Sequence, residues 1–170
     1  MKTRSLKKVF AIAVALLSLL AVSCEKDNKG GNYSYVAPYL EWGASSADIQ
    51  KYMGSQSGWK KSEDGSQSVV YKNAAGVEAT FSLDSELGFI KIELEYENCC
   101  DKVETLKSDI ASHFKIGEWT TKQISGTTAY LNKIEDKSCD IIINASQSSL
   151  YDLLSVSYEA DAIWIASHRK

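Results

Sequence analysis

Two neighbouring stretches set the strongest constraint on the fold. Val77, Ala79, Phe81 and Leu83 alternate with Glu78, Thr80 and Ser82, and Ile90, Ile92, Leu94 and Tyr96 alternate with Lys91, Glu93, Glu95 and Glu97. A period of two places successive side chains on opposite faces of a strand, so each stretch has one buried face and one wetted face. A similar run covers Ser68–Asn73 before them, and three more follow at Thr127–Asn132, Cys139–Ala145 and Leu153–Glu159. Turn signals separate the runs at Asp64-Gly65, Ala75-Gly76, Leu87-Gly88 and Ser125-Gly126.

Two segments have helical spacing instead. Ile49, Tyr52 and Met53 recur at i, i+3, i+4 within 46–53; Ser45 with Asp48 forms a capping box, and Gly54 ends the segment. Val103, Leu106, Ile110 and Phe114 share a face of a second helix over 101–115. Asp101 is its expected N-cap, Glu104 the capping-box partner, and Gly117 follows the end.

The order of elements repeats. Ile49 and Ile110 are 61 positions apart, Trp59 and Trp119 are 60, Tyr71 and Tyr130 are 59, and Tyr96 and Tyr158 are 62. Near-constant offsets fit one supersecondary unit made twice with small loop changes. The expected fold is α+β: two tandem helix-plus-antiparallel-meander repeats, at about 42–98 and 99–160, forming two layers with the helices on one face of the sheet. This order resembles the tandem-repeat fold of beta-lactamase-inhibitor-like proteins and small envelope-assembly lipoproteins, over about residues 42–160. The resemblance implies protein binding by the open sheet face and carries over no inhibitory residue. The aromatic lead-in Tyr33, Tyr35, Tyr39 and Trp42, and the closing run Ala162–Ala166, lie outside the repeats. They are expected as edge strands or packed ends, or as an aromatic patch for a protein or glycan.

The first residues carry an address. Lys2, Arg4, Lys7 and Lys8 precede an apolar run, Val9–Val22, that stops at Ala21-Val22-Ser23-Cys24. The run is about 14 residues, short of the roughly 20 that span a bilayer as a helix. With its basic start and small-residue end it reads as a secretory signal peptide over 1–23. A cysteine at the cut resembles the bacterial lipoproteins. That resemblance implies diacylglycerol on the Cys24 thiol, an acyl chain such as palmitate on the new amine, and anchoring to a bacterial membrane, the outer membrane first. Glu25, Lys26 and Asp27 after the cysteine resemble the export signal of Bacteroidetes surface lipoproteins. Residues 24–41 read as the lipidated cysteine and a flexible tether, and 42–170 as one domain.

Removing 1–23 leaves 147 residues with 15 basic and 22 acidic side chains, a net charge of −7. That balance argues against nucleic acid and against electrostatic docking on anionic lipid. Beyond Cys24 there are Cys99, Cys100 and Cys139. A bridge from Cys100, or Cys99, to Cys139 would close a loop of about 40 residues and stabilise by roughly 3–4 kcal/mol in the chain-entropy model. The alternative is three unpaired thiols.

The catalytic inventory is thin. His113 and His168 are the two histidines, and neither belongs to an H-E-x-x-H pattern. A thiol nucleophile from Cys99 or Cys100 with His113 lacks a third orienting group, and adjacent cysteines lack the usual zinc-ligand spacing. Glu93, Glu95 and Glu97 align on one strand face, which reads as a solvated surface rather than a glycosidase pair. No catalytic, cofactor or metal residue is expected. The reading is a non-catalytic protein- or ligand-binding module, with a structural accessory subunit of an envelope complex second and a cysteine-dependent hydrolase third.

Overall fold

The computed structural model describes residues 31–124, 127–147 and 152–169. The signal segment, Cys24 and the first part of the tether lie outside these residues, as does the Ser125-Gly126 turn. The fold is α+β: an eight-stranded antiparallel open sheet with three helices. Helix α1 (Ser46–Ser55) precedes β1 (Trp59–Asp64), β2 (Ser68–Asn73), β3 (Val77–Asp84) and β4 (Gly88–Glu97). Helix α2 (Val103–His113) precedes β5 (Thr120–Ile124), β6 (Thr127–Ile134), β7 (Cys139–Gln147) and β8 (Asp152–Ala160), and α3 (Ala162–His168) follows. The strand order is β1-β2-β3-β4-β8-β7-β6-β5, so each meander runs inward from an edge and the two meet at β4 and β8.

The alternation read from the sequence sets the core. Val69 and Tyr71, Ala79 and Phe81, Ile92 and Leu94, Val156 and Tyr158, and Ile141 and Ile143 face one another across successive strands and are buried. Ile49 and Met53 of α1 and Val103, Leu106 and Ile110 of α2 belong to the same buried cluster. Ile90 departs from the expected face. The β3–β4 register slips between Ser82 and Leu83, which leaves Ile90 as the extra residue and hands its buried place to Phe89. A bulge of this kind inserts one residue and reverses the alternation beyond it.

Helix α1 begins as expected. The Ser45 hydroxyl accepts from the Asp48 N–H, and the Asp48 carboxylate accepts from the Ser45 N–H at 3.0 Å. The second helix does not. Asp101 is not its N-cap; residues Cys100–Lys102 form a 3-10 turn, Lys102 occupies the cap position without a side-chain cap, and the Asp101 carboxylate pairs with Lys102. The closing run is helix rather than strand. The Asp161 carboxylate accepts from the Trp164 N–H at 2.7 Å and caps it. That bond holds the Asp161 carboxyl below the usual carboxylate range.

Two strands were not anticipated. β1 (WKKSED) and β5 (TTKQI) form the edges of the sheet, and nearly all their side chains are exposed. The lead-in is also not a free tether as far as residue 41: Tyr33, Tyr35, Val36, Tyr39, Leu40 and Trp42 pack against the core. Trp42 stacks on Phe89 with ring centroids 5.1 Å apart, and its indole N–H donates to the Lys137 carbonyl at 2.7 Å. Tyr33 through Trp42 therefore belong to the folded body.

Candidate functional site

The residues weighed for chemistry do not converge. Cys100 opens the 3-10 turn before α2 and His113 is the last residue of α2, so the ten helical residues 103–112 lie between them, a rise of about 15 Å. The Cys100 thiol donates to the Ser146 and Leu153 carbonyls, both at 3.1 Å, and the neighbouring Cys99 thiol to the Glu97 carbonyl at 3.2 Å. Cys139 starts β7, whereas Ser146 is near its end, about 23 Å along the strand. A disulfide needs Cα atoms within about 7 Å. The anticipated Cys100–Cys139 bridge is therefore not the arrangement found, and Cys99, Cys100 and Cys139 are all free thiols. Burial pushes the Cys100 thiol up to about 11 and Cys139 up to about 12, which keeps both protonated at neutral pH. His113 packs its ring against Tyr35, centroids 4.5 Å apart, and its Nδ1 lies 2.8 Å from the Asp109 carbonyl. Among the described residues no group of three His, Cys, Asp or Glu side chains is placed to hold a metal ion. Also among them, no helix is long and apolar enough to cross a membrane. Cys24 lies outside the described residues.

The polar face of the sheet is mixed. Glu93 and Glu95 of β4 stand opposite Thr80 and Glu78 on one side and Ser157 and Ser155 on the other. β4 is an interior strand, so its carboxylates do not guard an edge. Lys91 bridges Glu93 at 3.4 Å and Glu159 at 3.2 Å, and Lys72 pairs with Glu78 at 2.6 Å. Further along, the face becomes uncharged at Ile142 and Leu131, which pair across β7 and β6. Burial, then Glu93 and Glu78, raise the Glu95 carboxyl above its usual range.

A raised carboxyl has a definite sign in stability. Above its folded pKa, Glu95 is charged in both states and its burial and repulsion oppose folding. Below the unfolded value of about 4.3 it is neutral in both and the penalty is gone. Glu95→Gln is accordingly expected to stabilise at pH 7 by a few tenths to about 1 kcal/mol, the range for like charges directly opposite on a sheet. The gain should disappear below about pH 4; urea midpoints measured at both pH values check it.

The buried face holds a second unusual group. The hydroxyls of Tyr35, Tyr96 and Tyr158 are buried and make no well-formed hydrogen bond among the described residues, although the Tyr35 and Tyr158 hydroxyls approach each other and the Val36 backbone approaches that of Tyr96. Burial pushes Tyr35 up to about 12 and raises Tyr96 and Tyr158 as well. By contrast the Tyr33 hydroxyl donates to the Asp109 carboxylate at 2.8 Å. A buried hydroxyl without a partner costs about 1–3 kcal/mol of desolvation, whereas a satisfied one contributes about 1 kcal/mol. Tyr158→Phe is expected to be neutral or stabilising, and Tyr33→Phe to cost about 1 kcal/mol. Chemical denaturation of the two variants side by side tests the contrast.

The concave feature nearest a binding site lies under the lead-in. A cavity of about 240 Å³ is lined by Tyr35, Val36, Ala37 and Tyr39 of the lead-in, Tyr52, Met53 and Gln56 at the end of α1, Trp59 at the start of β1, and Ala79, Phe81, Ile92 and Leu94 of the sheet. It carries five aromatic side chains and no carboxylate or ammonium group. Tyr39 and Tyr52 pack ring to ring at 4.5 Å, and burial raises both phenols, so both are neutral at physiological pH. The sequence marked Tyr35, Tyr39, Tyr52, Met53 and Trp59 as aromatic lead-in, helix face and repeat marker, but gave no sign that they share one cavity. Comparison with protein-family models, with curated proteins and with solved structures returns no match.

Proposed function

We propose that this chain is a lipid-anchored protein of a bacterial cell envelope, outer membrane first, whose folded body is a non-catalytic protein- or ligand-binding module. The observation that carries the binding reading is the uncharged aromatic cavity, a concave site with apolar walls and few polar groups. The basic start, apolar run and Ala21-Val22-Ser23-Cys24 end support the anchor. The net charge of −7 after the cut disfavours nucleic acid as a partner and leaves a protein or a glycan. A cysteine-dependent hydrolase lacks support, because thiol and imidazole stand at opposite ends of α2 and the thiols are protonated. A structural accessory subunit is the second reading, favoured by the paired charges around Lys91 and Lys72 on the polar face.

The body reads as a duplicated unit with α1 and α2 on one face of the sheet. The palindromic strand order supports this. Leu94 and Val156, which face each other directly across β4 and β8, are 62 positions apart, the same offset as Tyr96 and Tyr158. A two-fold relation between the halves would pass through that pair.

Replacing Cys24 by Ser tests the anchor. The expected outcome is transfer of the protein from the membrane fraction to the soluble fraction, with loss of the diacylglycerol adduct from the N-terminal peptide by mass spectrometry. One chain binds only marginally and two or more hold stably, so the change should be close to complete. Unchanged membrane attachment of Cys24→Ser would refute it.

A further inference from the structure

We infer that the cavity beneath the lead-in is a binding site for a small uncharged aromatic molecule of one or two fused rings bearing one hydrogen-bonding group. The inference deepens the binding-module reading and rests on it. Its first support is size. A cavity of roughly 150 Å³ accepts a benzene ring, so about 240 Å³ leaves room for a bicyclic ring or a ring with a short substituent. The second support is the chemistry of the walls. Tyr35, Tyr39, Tyr52, Trp59 and Phe81 offer ring faces and edges, which favour an aromatic guest over a saturated chain of equal area.

Charge narrows the guest further. The lining includes no ionised side chain, and Met53, Ala79, Ile92 and Leu94 make its deep part hydrocarbon. Those four side chains are at most 5 % exposed. An anion or cation would leave its hydration shell without a counter-charge to replace it. Five aromatic residues also invite comparison with the cages that hold quaternary ammonium groups, but half of this wall is aliphatic and has no quadrupole to offer a cation. The polar groups of the lining are the Gln56 amide and the phenols of Tyr35, Tyr39 and Tyr52, enough to orient one hydroxyl or ring N–H.

Ala79 creates the space. It sits between Val77 and Phe81 on the buried face of β3, opposite Tyr71 on one side and Leu94 on the other. Every flanking residue on that face is larger, so the single methyl group leaves room above the sheet.

The test uses the whole mature chain carrying Cys24→Ser, so that no detergent competes for the cavity. Indole and p-cresol serve as neutral probes, and benzoate and choline as charged ones, with binding followed by NMR shifts. The expected result is saturable binding of indole or p-cresol that moves the Ala79 and Met53 methyl signals and the Trp59 indole N–H, with no comparable effect of benzoate or choline. Ala79→Leu should weaken that binding by about tenfold or more, since each added methylene in an apolar pocket is felt on that scale. The wild-type shift map locates the site even if that variant folds poorly. Saturable choline binding with the same shifts would overturn the neutral-guest assignment, and the absence of any probe binding would overturn the site. Either failure leaves the Cys24 result standing, so the two readings fall separately.

Discussion

Leu154→Ala is expected to cost about 3–4 kcal/mol and to weaken both halves of the sheet together. Leu154 is 0 % exposed and lies on β8, opposite Tyr96 of β4 and Ala145 of β7. It is therefore at the seam where the two meanders join. Truncation to Ala removes buried methyl and methylene groups and leaves a hole that the surrounding large side chains fill only in part. A domain of this size is stable by roughly 5–15 kcal/mol, so the loss is a large fraction of the total. The seam also makes the effect global. Trp59 stands in the first meander and Trp119 just before the second, and both pack against the one buried cluster. The emission of the four tryptophans, these two with Trp42 and Trp164, should report a single urea transition at a lower midpoint with an unchanged slope. Two separated transitions would mean that the meanders fold as independent units and that the seam does not couple them.

The legible parts of this fold are those where burial leaves a period. β3, β4 and β7 alternate because one of their faces meets the core, and the buried residues Val77, Ala79, Phe81, Ile92, Leu94 and Tyr96 follow from spacing alone; β2 and β8 are covered on both faces over Val69–Tyr71 and Leu154–Tyr158. The edge strands were invisible for the same reason. Lys60, Lys61, Glu63 and Asp64, or Thr120, Thr121 and Lys122, meet water on both faces, so nothing selects an apolar residue at every second position. Ile90 was placed on the wrong face because a bulge is one residue of local geometry and has no hydropathy signature here. Asp101 has the right type and spacing for a cap, yet the chain enters α2 through a 3-10 turn and its carboxylate turns to Lys102. The cavity was beyond reach altogether. Its walls come from five elements separated by up to 59 positions, and only the tertiary fold brings Tyr35 to Leu94. Cys100 and Cys139 show the converse error. Their separation along the chain permits a bridge, but Cys100, in the turn after β4, lies against Ser146 near the end of β7, whereas Cys139 begins that strand.

Gly88→Val is expected to be the most damaging single change outside the core, because it meets backbone rather than side chain. Gly88 opens β4 at φ +75°, in the left-handed region that costs a residue with a Cβ about 1–2 kcal/mol. Space is a second and independent barrier. A Cβ built there would lie 2.6 Å from the Gly43 carbonyl oxygen and 2.9 Å from that of Ala44. The Ala44 oxygen and the Gly43 peptide N–H are both tied to β4. The Ala44 carbonyl accepts from the Phe89 N–H at 2.9 Å, and the Phe89 carbonyl accepts from the Gly43 N–H at 2.8 Å. These two bonds tie the lead-in to β4, next to the stack of Trp42 on Phe89. Relief of the clash must lengthen them and lift Trp42, so strain, two weakened hydrogen bonds and a disturbed aromatic contact add up to about 4 kcal/mol or more. Gly88→Ala should show most of the same loss, since the offending atom is the Cβ itself. Gly54→Ala is the matched control: it lies in α1 with nothing within 4 Å of its added methyl, and a helical Gly-to-Ala change there should be neutral or stabilising by about 0.5 kcal/mol. Thermal unfolding of the three variants distinguishes a backbone clash at one turn from a general cost of replacing glycine. If Gly88→Ala unfolds at the wild-type temperature, the lead-in is not held against β4 as described.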